Sequence, residues 1–362
     1  MSDVTTLWCE QVRAAAAAAT TLQLRGGASK AFYGRTPAGE VLDTRAHRGV
    51  VAYEPTELVV TVRGGTPLVE LESLLAERNQ MLAFEPPHFG ADATVAGCVA
   101  SGLSGPRRVA AGALRDFVLG VTIMDGRGDV LRFGGQVMKN VAGYDVSRLI
   151  AGSLGTLGII LDVSLKVLPR PFAETTLRFE LGEAGVIERL NRWGGQPLPI
   201  SGSAWQAGEL MLRLSGAGAA VRAASARLGG ERVDDAAAST FWSGVREHTA
   251  AFFAALPPAV DGREPILWRI ALPSTAAALQ LDDAQLIEWG GGLRWLWSHR
   301  PAEQVRARVA ELGGHATQFR GGARDGEIFQ PLGAALMTIH RRLKHAFDPA
   351  GVFNPGRLYD GI

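Results

Sequence analysis

Cysteine is nearly absent: Cys9 and Cys98 are the two in 362 residues. Their separation and the length of the chain exclude a disulfide-stapled scaffold, a cysteine zinc site and a resident iron-sulfur cluster, and they point to a reducing cytoplasm. An excess of charge of one sign is missing too. With 37 basic and 36 acidic residues the net charge is +1, so no broad field attracts nucleic acid, an anionic membrane or a polyanion. No uncharged apolar run approaches the ~20 residues of a membrane-spanning helix, so membrane contact is expected only through partners. The first 20 residues lack the basic start and apolar core of a secretory signal, and the alanines at 14–19 read as helix.

Glycine is plentiful, 45 in all, against an average usage of about 7%. A strand is expected at 22–24 before the loop "RGGASK", with further β-branched strands at 50–53 and 58–62. Thr66 and Pro67 read as cap and first turn of a helix with Leu68, Leu71, Leu74 and Leu75 on one face. "QMLAFEPPHFG" reads as a strand stopped at Pro86-Pro87, and Thr94 as the cap of a helix of small residues. Residues 118–124, the turn "DGRG" and 130–133 form a hairpin pattern. "YDVSRLIAGSLGTLGIILDVSLKVLP" reads as helix, glycine loop and long strand. Near Pro169-Arg170-Pro171 the style changes to β-like runs such as "PILWRIAL" alternating with helix-like ones such as "AEQVRARVAELGG". This divides the chain into 1–171, 172–330 and a C-terminal helix and irregular tail over 331–362.

Neither G-x-x-x-x-G-K-[ST] nor G-x-G-x-x-G occurs, and "RGGASK" alone reads as a turn. Two further glycine segments, "ATVAGCVASGLSGP" and "GSLGTLGII", raise its meaning. Consecutive amides in glycine turns form anion-binding nests, a capped helix start adds its dipole, and Ser29, Thr94, Ser101, Ser153 and Thr156 add hydroxyls. Such a set suits a pyrophosphate.

These segments, with "PPHFGADATVAGCVASGLSGP", "LRDFVLGVTIMDGRGDVLRFGG", "KNVAGYDVSRLIAGSLGTLGII" and "FDPAGVFNPGRLY" in that order, resemble the FAD-binding domain of the vanillyl-alcohol oxidase and p-cresol methylhydroxylase family. The resemblance implies an α+β fold in which two subdomains clasp FAD, followed by an α+β cap or substrate domain on an antiparallel sheet, with the C-terminus returning to the flavin. Within the family the chain resembles the smaller flavoprotein subunits of bacterial glycolate oxidases, also called glycolate dehydrogenases. That implies Arg25, Gly26, Gly27, Ala28, Ser29 and Lys30, with Thr94, Ala96, Gly97, Ala100, Ser101 and Gly102, at the pyrophosphate. Pro86 and Pro87 would lead there, and Arg115 and Asp116 precede the hairpin. Gly152, Ser153, Gly155, Gly158 and Ile159 would run along the adenosine, with Ile159 bonding adenine. Asn354 and Arg357 would approach the ring.

Covalent members of the family carry a histidine or cysteine tether, and "GGASKAFYG" has neither, which implies non-covalent FAD. The larger glycolate oxidase subunit and related 2-hydroxy-acid dehydrogenases carry an H-x-H metal signature. None of the seven histidines here forms it, so no metal is expected. His340 and His345, beside Arg341, Arg342 and Lys344, read as a solvated or partner-facing surface. Trp242 with Arg246, Trp268 with Arg269, and Arg294 with Trp295 and Trp297 read as core with snorkelling arginines; alternatively Arg246 or Arg269 receives a carboxylate. Cys98 reads as buried and inert.

The resemblance implies an FAD-dependent oxidoreductase subunit acting on the CH–OH of a 2-hydroxy acid, oxidising glycolate to glyoxylate within a complex. Its implied partners are the larger FAD-binding subunit and an iron-sulfur subunit, in the cytoplasm or at the inner membrane through that complex. Two alternatives stand beside it: a self-sufficient FAD oxidase or dehydrogenase, for which no base is evident, and a non-catalytic relative that keeps its flavin loops as scaffold.

Overall fold

The computed structural model describes residues 3–135 and 145–362; residues 139–144, which open the "KNVAGYDVSRL" segment, lie outside this part. The chain divides into two compact units, one of residues 1–103, 113–169 and 324–362, the other of 104–112 and 170–323.

In the first unit the strands are β1 (Leu22–Arg25), β2 (Glu40–Asp43), β3 (Val50–Glu54), β4 (Val59–Arg63), β5 (Gln80–Met81), β6 (Val118–Met124), β7 (Val130–Gly134), β8 (Ile159–Lys166) and β9 (Leu168–Pro169). β1 and β2 pair in parallel, Leu22 opposite Glu40 and Arg25 opposite Asp43. A five-stranded antiparallel sheet runs β3-β4-β8-β6-β7. Its middle strand, β8, is a nearly continuous buried run, as a strand covered on both faces must be. The helix Asp3–Ala18 turns Trp8, Val12 and Ala15 inward at helical spacing, onto Leu22, Leu42, Met124, Ile159, Leu161 and Phe353. The chain's end joins this core: the Leu22 amide donates to the Val352 carbonyl at 2.7 Å, and the Asn354 amide to the Leu22 carbonyl at 3.0 Å.

Three expectations are corrected here. Thr66 is not the cap of its helix, which begins at Leu68 after Pro67; the Thr66 hydroxyl instead accepts from the Gly49 amide at 2.8 Å. The strand over "QMLAFEPPHFG" shrinks to β5, and farther on Glu85 and Phe89 take positive φ angles of 48° and 53° around the two prolines. Lys344 is not on the surface. On the helix Ala334–Phe347 it is 7% exposed, and its ammonium donates to Asp348 Oδ2 at 2.6 Å, the Phe353 carbonyl at 2.7 Å and the Thr156 carbonyl at 2.8 Å.

The second unit is built on an eight-stranded antiparallel sheet of β10 (Ala173–Glu180), β11 (Ile200–Gln206), β12 (Glu209–Gly216), β13 (Glu231–Arg232), β14 (Ile266–Ala271), β15 (Gln285–Glu288), β16 (Leu293–Ser298) and β17 (His315–Arg320), in the order β13-β10-β12-β11-β15-β16-β14-β17. Helices Glu183–Gly194 and Gly218–Leu228 bury Val186, Leu190, Trp193 and Val221 on Leu177, Leu210, Leu212 and Leu214. Helix Ala302–Glu311, the "AEQVRARVAE" run, sets Val305 and Val309 on Trp268, Ile270 and Leu296.

Candidate functional site

A cavity of about 290 Å³ lies wholly within the first unit. It is lined by Gln23, Leu24, Arg25, Gly26, Gly27, Ala28, Ser29, Lys30, Ala31 and Pro37, by Thr94, Gly97, Ala100 and Ser101, and by Leu154, Asn354 and Arg357. A second space of about 70 Å³ shares Leu24, Arg25, Gly26, Gly97, Ala100, Leu154 and Asn354 with it and adds Thr44, Ala96, Gly155, Gly158, Ile159 and Ile160. The larger lining carries Arg25, Lys30 and Arg357 and no carboxylate, a donor-rich surface suited to an anion.

Each wall is fixed by local chemistry. Thr94 caps the helix Val95–Ser101 from an extended backbone, its hydroxyl accepting from the Gly97 amide at 3.2 Å. Gly97, one turn in, leaves its side of the helix open to the cavity. The third glycine segment is pinned to this helix, with the Gly152 amide donating to the Val99 carbonyl at 3.0 Å and the Leu154 amide to the Ala100 carbonyl at 2.8 Å. In the first loop a Cβ on Gly27 would stand 1.5 Å from the Asp92 carbonyl oxygen. The glycine is thus required by the protein's own close packing, and not only by the approach of a ligand. Lys30 donates to the His88 carbonyl at 3.1 Å, and the His88 ring in turn meets Glu72 at 3.0 Å.

Asn354 and Arg357 tie the C-terminal turn to this wall. The Asn354 side chain accepts from the Leu24 amide and donates to the Leu154 carbonyl. Arg357 donates to the Ala31 carbonyl at 2.9 Å and to the Arg35 carbonyl. Burial, helped by the neighbouring Arg324, lowers the Arg357 guanidinium to about 10. Burial pushes the Cys98 thiol, on the same small-residue helix, up to about 12, which leaves it unreactive.

The two spaces therefore bring together Arg25 through Lys30, Thr94, Ala96, Gly97, Ala100, Ser101, Gly155, Gly158, Ile159, Asn354 and Arg357. Pro86 and Pro87 are buried but line neither space. Gly102, Gly152 and Ser153 lie in the turns behind the wall, where a Cβ on Gly102 would come 2.9 Å from Gly152 Cα. Arg115 and Asp116 are exposed on the helix Leu114–Phe117, where Asp116 accepts from the Ala113 amide at 2.9 Å. Sequence reasoning passes over Gln23, Leu24, Ala31, Pro37, Thr44, Leu154 and Ile160. Thr44 reaches the site because β1 and β2 pair in parallel, its amide donating to the Arg25 carbonyl at 2.8 Å, and no local signal in the chain gives that pairing.

In the second unit, Trp242 is core, with its indole donating to Thr176 at 2.9 Å, and Arg246 pairs with Glu247 at 2.8 Å. Arg294, fully buried, donates to the carbonyls of Ala276 and Ala277 at 2.6 and 2.7 Å. The Arg269 guanidinium lies 5.3 Å from the Trp289 ring centre. His248 stacks on Phe253 at 3.8 Å; burial, with the positive fields of Arg320 and Arg269, holds its pKa well below the usual histidine value.

Residues 9–134 match the family of the FAD binding domain. Over 350 residues the chain is 50% identical to glycolate oxidase subunit GlcE of Escherichia coli (strain K12), covering 97% of this chain and 96% of that protein. It is also 33% identical over 143 residues to glycolate oxidase subunit GlcD of Bacillus subtilis (strain 168), which covers 39% of this chain and 30% of that one. Among solved structures, alkyldihydroxyacetonephosphate synthase superposes with a TM-score of 0.67 at 14% identity over 97% of this chain and 75% of that one, a likeness of fold.

Proposed function

This chain belongs to the family of the Escherichia coli glycolate oxidase subunit GlcE, with the FAD-binding fold of the vanillyl-alcohol oxidase type, and on that premise we propose that it is the FAD-binding subunit of a multi-subunit glycolate oxidase. The observation that carries the reading is the cavity whose lining combines three glycine-bearing segments, three cations and no carboxylate.

Bound FAD would supply a redox centre for the complex that turns glycolate into glyoxylate. The chain's part is to hold and orient that cofactor. The amides of Gly26 through Ser29 would donate to the pyrophosphate and Arg25 and Lys30 would offset its charge, while Ser101, whose hydroxyl donates to the Cys98 carbonyl at 2.9 Å, lines the same wall. Thr94 keeps the start of its helix intact through its own cap bond, so its contribution is to orientation. Ile159, with Gly155 and Gly158, lines the narrower space, which suits the adenosine end. Asn354 and Arg357 would close the cavity from the chain's end.

The finer part of the proposal is the set of partners, a larger FAD-binding subunit that oxidises glycolate and an iron-sulfur subunit that takes the electrons on. In support, the two cysteines are both buried and stand far apart in sequence, and the sequence contains no H-x-H. Two measurements test the reading. The purified chain should show a flavin spectrum; a colourless chain that takes up no FAD overturns the cofactor assignment. Glycolate-dependent dye reduction should be absent with the chain alone and present when it is co-expressed with both partners. Full activity of the chain alone would establish the self-sufficient enzyme instead.

A further inference from the structure

We infer that the outward face of the helix Ala334–Phe347 is the docking surface for a partner subunit that presents an apolar patch edged by carboxylates; this rests on the heteromeric reading above. Leu336 and Ile339, one turn apart, are 53% and 59% exposed, and the exposed Arg342 follows at the same spacing. Arg341 and His345 are exposed as well, and the fourteen residues of this helix contain no aspartate or glutamate. Two large aliphatic side chains side by side in water, bordered by cations of one sign, form a surface that gains by association with an apolar and acidic counterpart.

The helix is also fixed in place. Its buried Lys344 joins Asp348 and the carbonyl of Thr156 in the third glycine segment. A row of rings continues from His340 to Tyr359 (6.0 Å), Phe329 (6.0 Å) and Tyr33 (5.4 Å), in the loop that carries cavity-lining Ala31. The face is therefore presented on a scaffold packed through to the cofactor cavity, as a docking surface must be to hold a register. A protein partner is favoured over an anionic membrane because this helix exposes a single pair of large hydrophobic side chains and its first turn carries no cation.

The test uses the full chain co-expressed with the larger flavoprotein and iron-sulfur subunits, in the variants Leu336→Glu with Ile339→Glu, and Arg342→Glu. Leu7→Glu, at an equally exposed position on the first helix (53%), is the control. We expect the face variants to bind the partners about tenfold or more weakly, with the control unchanged and flavin absorbance and melting temperature retained in all. Undiminished co-purification of the face variants overturns the docking face alone. Failure of the unmodified chain to recruit any partner removes the heteromeric reading and the face with it. Sedimentation of the unmodified chain with phosphatidylglycerol vesicles, lost in the variants, would make the occupant a membrane. Loss of self-association in the variants would make it a second copy of the chain.

Discussion

Asn354 and Leu24 are joined across 330 residues of sequence: the Leu24 amide donates to Asn354 Oδ1 at 2.8 Å, while Asn354 Nδ2 donates to the Leu154 carbonyl at 2.7 Å. One buried amide thus bridges two walls of the cavity. Asn354→Ala leaves a half-buried N–H and a half-buried C=O unpaired, at about 1 kcal/mol each. The expected result is a urea midpoint lowered to match and FAD affinity reduced by about tenfold or more, read by unfolding curves and flavin titration; unchanged affinity would show that the bridge does not shape the cavity.

Lys344 and Asp348 form a buried ion pair at 2.6 Å, and the carboxylate also accepts the amides of Val352 and Phe353 at 2.9 and 2.8 Å. Removing one partner strands the other charge, so Lys344→Met should cost about 3–5 kcal/mol in chemical denaturation. The double variant Lys344→Met with Asp348→Asn should recover part of that loss. A single variant as stable as the parent would refute this account of the last turn.

Gly27 stands where a Cβ meets a backbone carbonyl at 1.5 Å, and a backbone atom cannot swing aside. Gly27→Ala therefore shifts the loop, and we expect purified protein with little flavin, measured as the ratio of absorbance at 450 nm to that at 280 nm. In "GGASKAFYG" no histidine or cysteine is present to tether the cofactor. Acid precipitation of the parent should leave the flavin in the supernatant; flavin retained on the precipitated chain would contradict it.

His248 predicts a pH dependence. Its folded pKa is depressed well below 6.5 by burial and by Arg320 and Arg269, so the unfolded chain binds the extra proton, and stability rises with pH across the interval between the two values. The contribution is complete above the unfolded value and is lost as pH falls through the folded one. Between pH 7 and pH 5 this group alone should remove up to about 2 kcal/mol. His248→Asn, which tolerates the left-handed backbone here (φ 55°), should flatten that slope in urea titrations at the two pH values.

The parts legible in the sequence are those with local causes. Thr94 announces its helix as a hydroxyl acceptor just before a run of small residues, and the β6–β7 hairpin follows from the two apolar runs around "DGRG". Lys344 misleads because a lysine among arginines and histidines reads as solvated, whereas its three partners are set by long-range packing. Thr66 misleads in the same way, its hydroxyl being taken by Gly49 seventeen residues earlier. Thr44 and Leu154 go unnoticed because pairing partners distant in sequence, not their own residue type, bring them to the cavity.

The bond between Leu24 and Asn354 also sets a timetable. During synthesis at roughly 5–20 residues per second, strand β1 leaves the ribosome tens of seconds before its partner at 354 exists, and the second unit, residues 170–323, is made in the interval. The cofactor cradle is thus completed only once residue 354 has been made, and a nascent chain halted before that residue carries the glycine loops without the wall that closes them.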